Sequence, residues 1–160
     1  MRRTARVLSL GLLMASVSAP ASADITAMLG TTTTPTTRAT RGAAIGFGLL
    51  VFGVEFEYAH TSEDLLEGAP SLTTGVGNVL FQTPFPIFGI QPYFTTGGGM
   101  YRESLATRSE THFAVNEGGG VKVSLLGPVR ARLDYRIFHL RGDPTHDTVH
   151  RFYAGLNLSF

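Results

Sequence analysis

The chain has 160 residues, of which 43% are hydrophobic and only 16% charged, with 19 Gly, 8 Pro and neither Cys nor Trp. One domain of ordinary size fits that length, and the composition argues against disorder. The lack of Cys excludes a disulfide scaffold, a thiolate-held zinc or iron–sulfur site, a thiol nucleophile and a lipidated cysteine.

Residues 1–23 carry a secretory leader pattern: Arg2, Arg3 and Arg6, the apolar run Val7–Ala15, and the small-residue exit Ala21-Ser22-Ala23. The expected division is a cleaved signal peptide, residues 1–23, and one domain, residues 24–160. Without the leader, 10 basic residues stand against 12 acidic ones, so the formal charge changes from +1 to −2. That balance gives no basic footprint for nucleic acid, and no nucleic-acid partner is expected. Past the leader, the longest apolar run, Ala43–Val54, is interrupted by three glycines and falls short of the roughly 20 residues a spanning helix needs. A chain this apolar, with period-2 patterning, is either an exported soluble β-protein or a barrel that satisfies its backbone within a membrane.

Eight alternating segments follow. Ile25, Ala27 and Leu29 alternate with Thr26 and Met28; Ala43, Ile45, Phe47 and Leu49 alternate with Ala44, Gly46 and Gly48. Next, Leu50, Phe52, Val54, Phe56 and Tyr58 alternate with Gly53, Glu55, Glu57 and Ala59. Segments near Leu72–Gln82, Ile90–Tyr101 and Phe113–Leu125 have glycine-rich interiors that suit tightly curving strands. In the third of these, with Asn116 and Lys122 inward, Glu117 falls outward near mid-strand, so a bulge is expected around Gly118–Gly120. The seventh segment sets Val129, Ala131, Leu133, Tyr135 and Ile137 against Arg130, Arg132, Asp134 and Arg136. The last sets Phe152, Ala154, Leu156, Leu158 and Phe160 against Arg151, Tyr153, Gly155, Asn157 and Ser159. A helix would mix these sets; a strand keeps them on opposite faces.

Connections alternate in length. Short ones fall near Leu49-Leu50, at Pro84–Gly89 and at Leu126-Gly127-Pro128. Longer polar ones fall at Thr31–Arg41, His60–Pro70, Arg102–Thr111 and Arg141–Asp147. The predicted fold is an all-β, eight-stranded antiparallel up-and-down transmembrane β-barrel, with both termini at the short-turn, periplasmic end.

With its leader, strand plan and terminal run Phe152–Phe160, the chain resembles the small eight-stranded outer-membrane β-barrel proteins of the OmpA and OmpX type. The resemblance covers residues 24–160. It implies location in the cell outer membrane, contact with outer-membrane lipids, handling by periplasmic chaperones and the barrel-assembly machinery, and a monomer without cofactor. It also implies that the alternating Phe152, Leu156, Leu158 and Phe160 form the assembly signal. Unlike full-length OmpA-like proteins, the sequence runs only as far as the barrel, and no peptidoglycan-binding domain is expected to follow.

The lumen of such a barrel is only wide enough for side chains. Glu55, Glu57 and Asp134 then share it with Lys122, Arg130, Arg132, Arg136 and Arg151 as a salt-bridged plug, which is favoured over an anion-selective pore. His139, His146 and His150 cluster around the last long loop, but a strand-and-loop spacing brings no automatic convergence on a metal. Ser62, Ser104, Ser109, His60 and His112 supply the residue types of a Ser-His-acid hydrolase, with no motif tying them together. Arg141-Gly142-Asp143 is a three-residue match to an adhesion motif and equally a tight-turn sequence, and Thr31–Thr37 is a polar low-complexity tract. The expected role is structural or interactive, without catalysis. The alternatives are a lipid-modifying outer-membrane enzyme, a narrow solute pore, and a soluble barrel enclosing an apolar ligand, which the charged faces of the last two strands contradict. Deletion of Phe160 should sharply reduce the heat-shiftable, outer-membrane-fractionating form on gels, and normal insertion of that variant would remove the assembly-signal reading.

Overall fold

The computed structural model describes residues 21–160, so residues 1–20 of the expected leader lie outside the described residues. Eight strands follow one another: β1 (Ala21–Thr32), β2 (Arg38–Leu49), β3 (Phe52–Thr61), β4 (Ser71–Gln82), β5 (Ile90–Leu105), β6 (Arg108–Leu126), β7 (Val129–Leu140) and β8 (Thr148–Ser159). Each pairs antiparallel with the next, and β1 closes on β8 through Ile25↔Leu158 and Leu29↔Ala154. The result is an up-and-down barrel with no free edge. Residues 21–23, which the leader reading would remove, lie within β1, and Ala23 exchanges backbone hydrogen bonds with Phe160.

The alternation is inside-out relative to a water-soluble barrel. Ile45, Phe47, Val54, Phe56, Leu133, Leu156 and Phe160 are exposed on the outer wall, whereas Glu55, Glu57, Arg132, Arg136, Arg151 and Asn157 are buried in the lumen. At the turn end, Phe52 and Phe81 meet edge to face with ring centroids 5.2 Å apart, and near the loop end Tyr135 packs on Phe152 at 4.6 Å. Aromatic pairs thus stand towards both margins of the apolar wall.

Two sequence expectations are corrected. Both ladders of β6 run without a register shift through Gly118–Gly120, and the irregularity falls instead at Ser124/Leu126, beside the turn into β7. Glu117 therefore does face outward, and His139 on β7 lies beside it with Nε2 3.8 Å from Oε1. The glycines serve packing within a regular strand: a Cβ at Gly120 would lie 2.6 Å from the Tyr93 hydroxyl, and one at Gly118 would lie 3.0 Å from Arg136 Cγ. The segment Arg102–Thr111, expected as a loop, is mostly strand. β5 and β6 stay paired to Leu105↔Arg108 and turn over Ala106-Thr107, while β7 leaves β6 at Ala114↔Leu140. The loop end thus carries three loops and one projecting hairpin. Leu156, 59% exposed on the outer wall, provides a check on parity: Leu156→Arg should cost about 2–4 kcal/mol in refolding into lipid if that wall meets acyl chains, and a neutral result would invert the two faces.

Candidate functional site

Inward-facing positions fill the lumen in layers. Nearest the turn end, Lys122 on β6 pairs with Asp24 on β1 at 3.0 Å, and Arg130 Nη1 donates to Gln91 Oε1 at 3.1 Å. Asp24 is a partner the sequence reading did not assign to Lys122, although it shares the inward parity of Thr26 and Met28. With Asp24 included, the enclosed carboxylates Asp24, Glu55, Glu57 and Asp134 are matched by Lys122, Arg132, Arg136 and Arg151. The inward cationic surplus on which an anion pore would draw is thereby confined to the part-exposed Arg130 and to Arg38 at the opposite rim.

The central layer is a tight ion cluster between β3 and β7. Arg132 binds Glu55 through both terminal nitrogens and Asp134 at 2.8 Å. Arg136 reaches Glu55 at 2.9 Å, Glu57 at 2.6 Å and Asp134 at 3.1 Å. From β5, the Tyr93 hydroxyl donates to Asp134 at 2.6 Å and its ring lies 4.9 Å from the Arg132 guanidinium carbon. Desolvating such charges is costly, and only paired geometry of this kind makes it tolerable. Above this layer Arg151 donates to the hydroxyls of Thr74 and Tyr153, while Tyr153 donates to Glu57. Arg151 also lies against Phe138, 4.4 Å from the ring centroid.

An apolar layer of Leu72, Val76, Tyr101, Ala114, Phe138, Leu140 and Val149 separates this cluster from the loop end. Thr32, Thr40 and Thr61 join hydroxyls at 2.8–3.0 Å near that rim, and Arg38 donates to backbone carbonyls of Thr34 and Pro70. The lumen is therefore filled by side chains that neutralise one another, an arrangement suited to rigidity rather than passage.

At the loop end the residue types of a hydrolase are present but not assembled. His60 Nδ1 is 2.9 Å from Thr73 Oγ1, His112 lies 3.7 Å from Glu110, and Ser104 bonds Ser109 at 3.1 Å. Among the described residues none of Ser62, Ser104 and Ser109 hydrogen-bonds either histidine. His150 Nδ1 pairs with the Tyr135 hydroxyl at 2.8 Å. No group of three or more His, Asp or Glu side chains placed to hold a metal occurs among the described residues. On the projecting hairpin, the hydrogen bond from Arg108 holds the Glu110 carboxyl below the usual carboxylate range. The Arg141-Gly142-Asp143 tripeptide is exposed in the β7–β8 loop, anchored where Tyr101 Oη donates to the Arg141 carbonyl at 2.7 Å. The terminal run places Phe152, Leu156, Leu158 and Phe160 together on the outer wall.

No family model and no curated protein matches the sequence. Solved structures do match in fold. The N-terminal β-barrel domain of Pseudomonas aeruginosa OprF aligns with a TM-score of 0.68 at 15% identity, over 87% of this chain and 97% of that one. Neisserial surface protein A (NspA) aligns at 0.69 and 12% identity, over 88% and 97%. The outer membrane enzyme PagL aligns at 0.55 and 14%, over 84% and 98%. The chain thus has the fold of small eight-stranded outer-membrane barrels.

The ion cluster predicts a large effect from a small change. Glu55→Gln leaves Arg132 and Arg136 short of a carboxylate in a sealed lumen and should destabilise the barrel by about 3–5 kcal/mol, read as a lowered urea midpoint in micelles. Unchanged stability would mean that water reaches the cluster.

Proposed function

We propose that this protein is a non-catalytic outer-membrane barrel whose role is structural and interactive, a rigid membrane-embedded support that displays its loop end outside the cell. The observation that carries this reading is the lumen. Four buried carboxylates and five buried cations, with Tyr93 and Tyr153 bonded among them, fill the passage that a transport role would need. The apolar outer wall supports immersion in lipid, and the fold shared with OprF, NspA and PagL supports the outer membrane as the site. What remains free to meet other molecules is the loop end: Thr33–Thr37, Ser62–Pro70, the β5–β6 hairpin and Arg141–Asp147. On this reading the short-turn end, with both termini of the barrel, faces the periplasm.

Biotinylation of intact cells at a cysteine introduced at Glu67, with membrane fractionation, gel mobility before and after boiling, and planar-bilayer conductance, tests the reading as a whole. The expected result is surface labelling, a heat-dependent mobility shift in the outer-membrane fraction and no steady conductance. A stable ohmic channel would establish the narrow pore instead. Recovery as a soluble periplasmic protein without a shift would overturn the membrane assignment, and altered membrane lipid species on overproduction would establish a lipid-modifying enzyme.

A further inference from the structure

On β2, β3 and β4 the outer wall is apolar from the turn end until a polar residue interrupts it, and these interruptions fall in one row with Arg102 of β5, a strand whose outward face already carries Thr96 lower down. On β2 the outward residues Leu49, Phe47, Ile45 and Ala43 lead to Arg41; on β3, Phe52, Val54, Phe56 and Tyr58 lead to His60. On β4, Phe81, Val79, Gly77 and Gly75 lead to Thr73, and on β5 the outward face reaches Arg102 just beyond Met100. Backbone pairing puts Arg41 opposite His60, His60 opposite Thr73 and Thr73 opposite Arg102. Strand spacing separates the two arginines by only about 14 Å.

We propose that the row Arg41, His60, Thr73 and Arg102 binds the phosphorylated head group of a lipid in the outward leaflet. The proposal rests on the membrane-embedded reading above and adds a ligand class to it. Three observations carry it. First, the row is cationic without compensation: among the described residues neither Arg41 nor Arg102 is paired with a carboxylate, whereas Arg108 is taken up by Glu110 and the lumen cations Lys122, Arg132 and Arg136 by acids of their own. Second, donors are ordered beside it. His60 Nδ1 is held 2.9 Å from the Thr73 hydroxyl, which fixes the ring and leaves Nε2 without a protein partner among the described residues, and Arg102 is steadied by a 2.7 Å bond from Nε to Ser109, which leaves its terminal nitrogens available. Third, a depression of about 280 Å³ lies at Arg41 and His60, with Ser62 on its polar side and Leu29 and Ala39 on its apolar side. Polar and apolar linings side by side match an amphiphile, and guanidinium groups at the margin of an apolar wall meet phosphate in bidentate fashion while their stems lie along acyl chains.

The opposite sector of the barrel is different. There Glu117 stands beside His139 and His150 is bonded to Tyr135, so that sector sets an acid among its outward polar groups and has no outward arginine beside them.

The test is lipid selectivity of the refolded full barrel in phosphatidylcholine bilayers doped with spin-labelled phosphatidic acid or spin-labelled phosphatidylcholine. The native protein should retain phosphatidic acid at least threefold over phosphatidylcholine. Arg41→Gln with Arg102→Gln should bring that ratio close to one, and Arg41→Lys with Arg102→Lys should keep part of it. His139→Gln with His150→Gln, on the other sector, should leave the ratio unchanged. Equal retention of the two lipids by the native protein, or the same loss from the histidine pair as from the arginine pair, overturns the proposal. Abolition of the preference by 50 mM inorganic phosphate also overturns it, by assigning the row to a soluble anion. Each variant is first shown to give the heat-dependent gel shift. A native protein that fails to enter the bilayer at all would remove the membrane reading itself, a result distinct from insertion without selectivity.

Discussion

Closure of β1 on β8 is the constraint on which everything else in this molecule depends. Once Ile25 pairs with Leu158 and Leu29 with Ala154, the strands form a ring without an edge and their ladders satisfy one another all the way round. A closed ring has only two surfaces, and a period-2 strand must divide its side chains between them. Phe152 and Leu156 go outward because Arg151 and Asn157 go inward. The barrel is narrow, so inward residues from strands far apart in sequence meet at its centre, as Glu55 on β3 meets Arg132 and Arg136 on β7.

The chemistry of the lumen follows from that confinement. Charges removed from water must find partners, and here each is held by neighbours from other strands: Lys122 by Asp24, Arg136 by three carboxylates, Tyr153 by Glu57. Glycines at Gly118 and Gly120 let the Arg136 stem and the Tyr93 ring lie against the wall. The same side chains that stabilise the ring also fill it.

The fold class could be read in the sequence because alternation survives burial: β3, β7 and β8 each divide into an apolar and a polar set with no ambiguity. Parity alone also groups the inward charges, which the structure places in contact for Glu55, Glu57, Arg132, Asp134, Arg136 and Arg151. What parity lacks is depth. It did not join Asp24 to Lys122, since that pair depends on how far each strand is offset from its neighbour around the ring. Polarity was also misleading for Arg102–Thr111, where Ser, Thr, Arg and Glu read as loop; paired strands that project beyond the barrel have no buried face to enforce alternation. The expected bulge at Gly118–Gly120 came from reluctance to leave Glu117 outward, but His139 on the neighbouring strand lies beside it, which no single-strand reading could reveal. The row of outward polar residues is likewise invisible strand by strand and emerges only from the register.

The distribution of charge among the strands has a consequence for how the molecule can be assembled. Arg132, Asp134 and Arg136 all belong to β7, yet the carboxylates Glu55 and Glu57 that complete their neutralisation belong to β3, on the far side of the ring. A β7–β8 hairpin entering a hydrocarbon layer by itself would carry its guanidinium groups with Asp134 as the one acid on either strand, against a steep penalty. Under the proposed membrane location, this distribution favours insertion of the whole chain together, with the early and late hairpins meeting before or while they cross into lipid. The lumen charges are matched only in a completed ring.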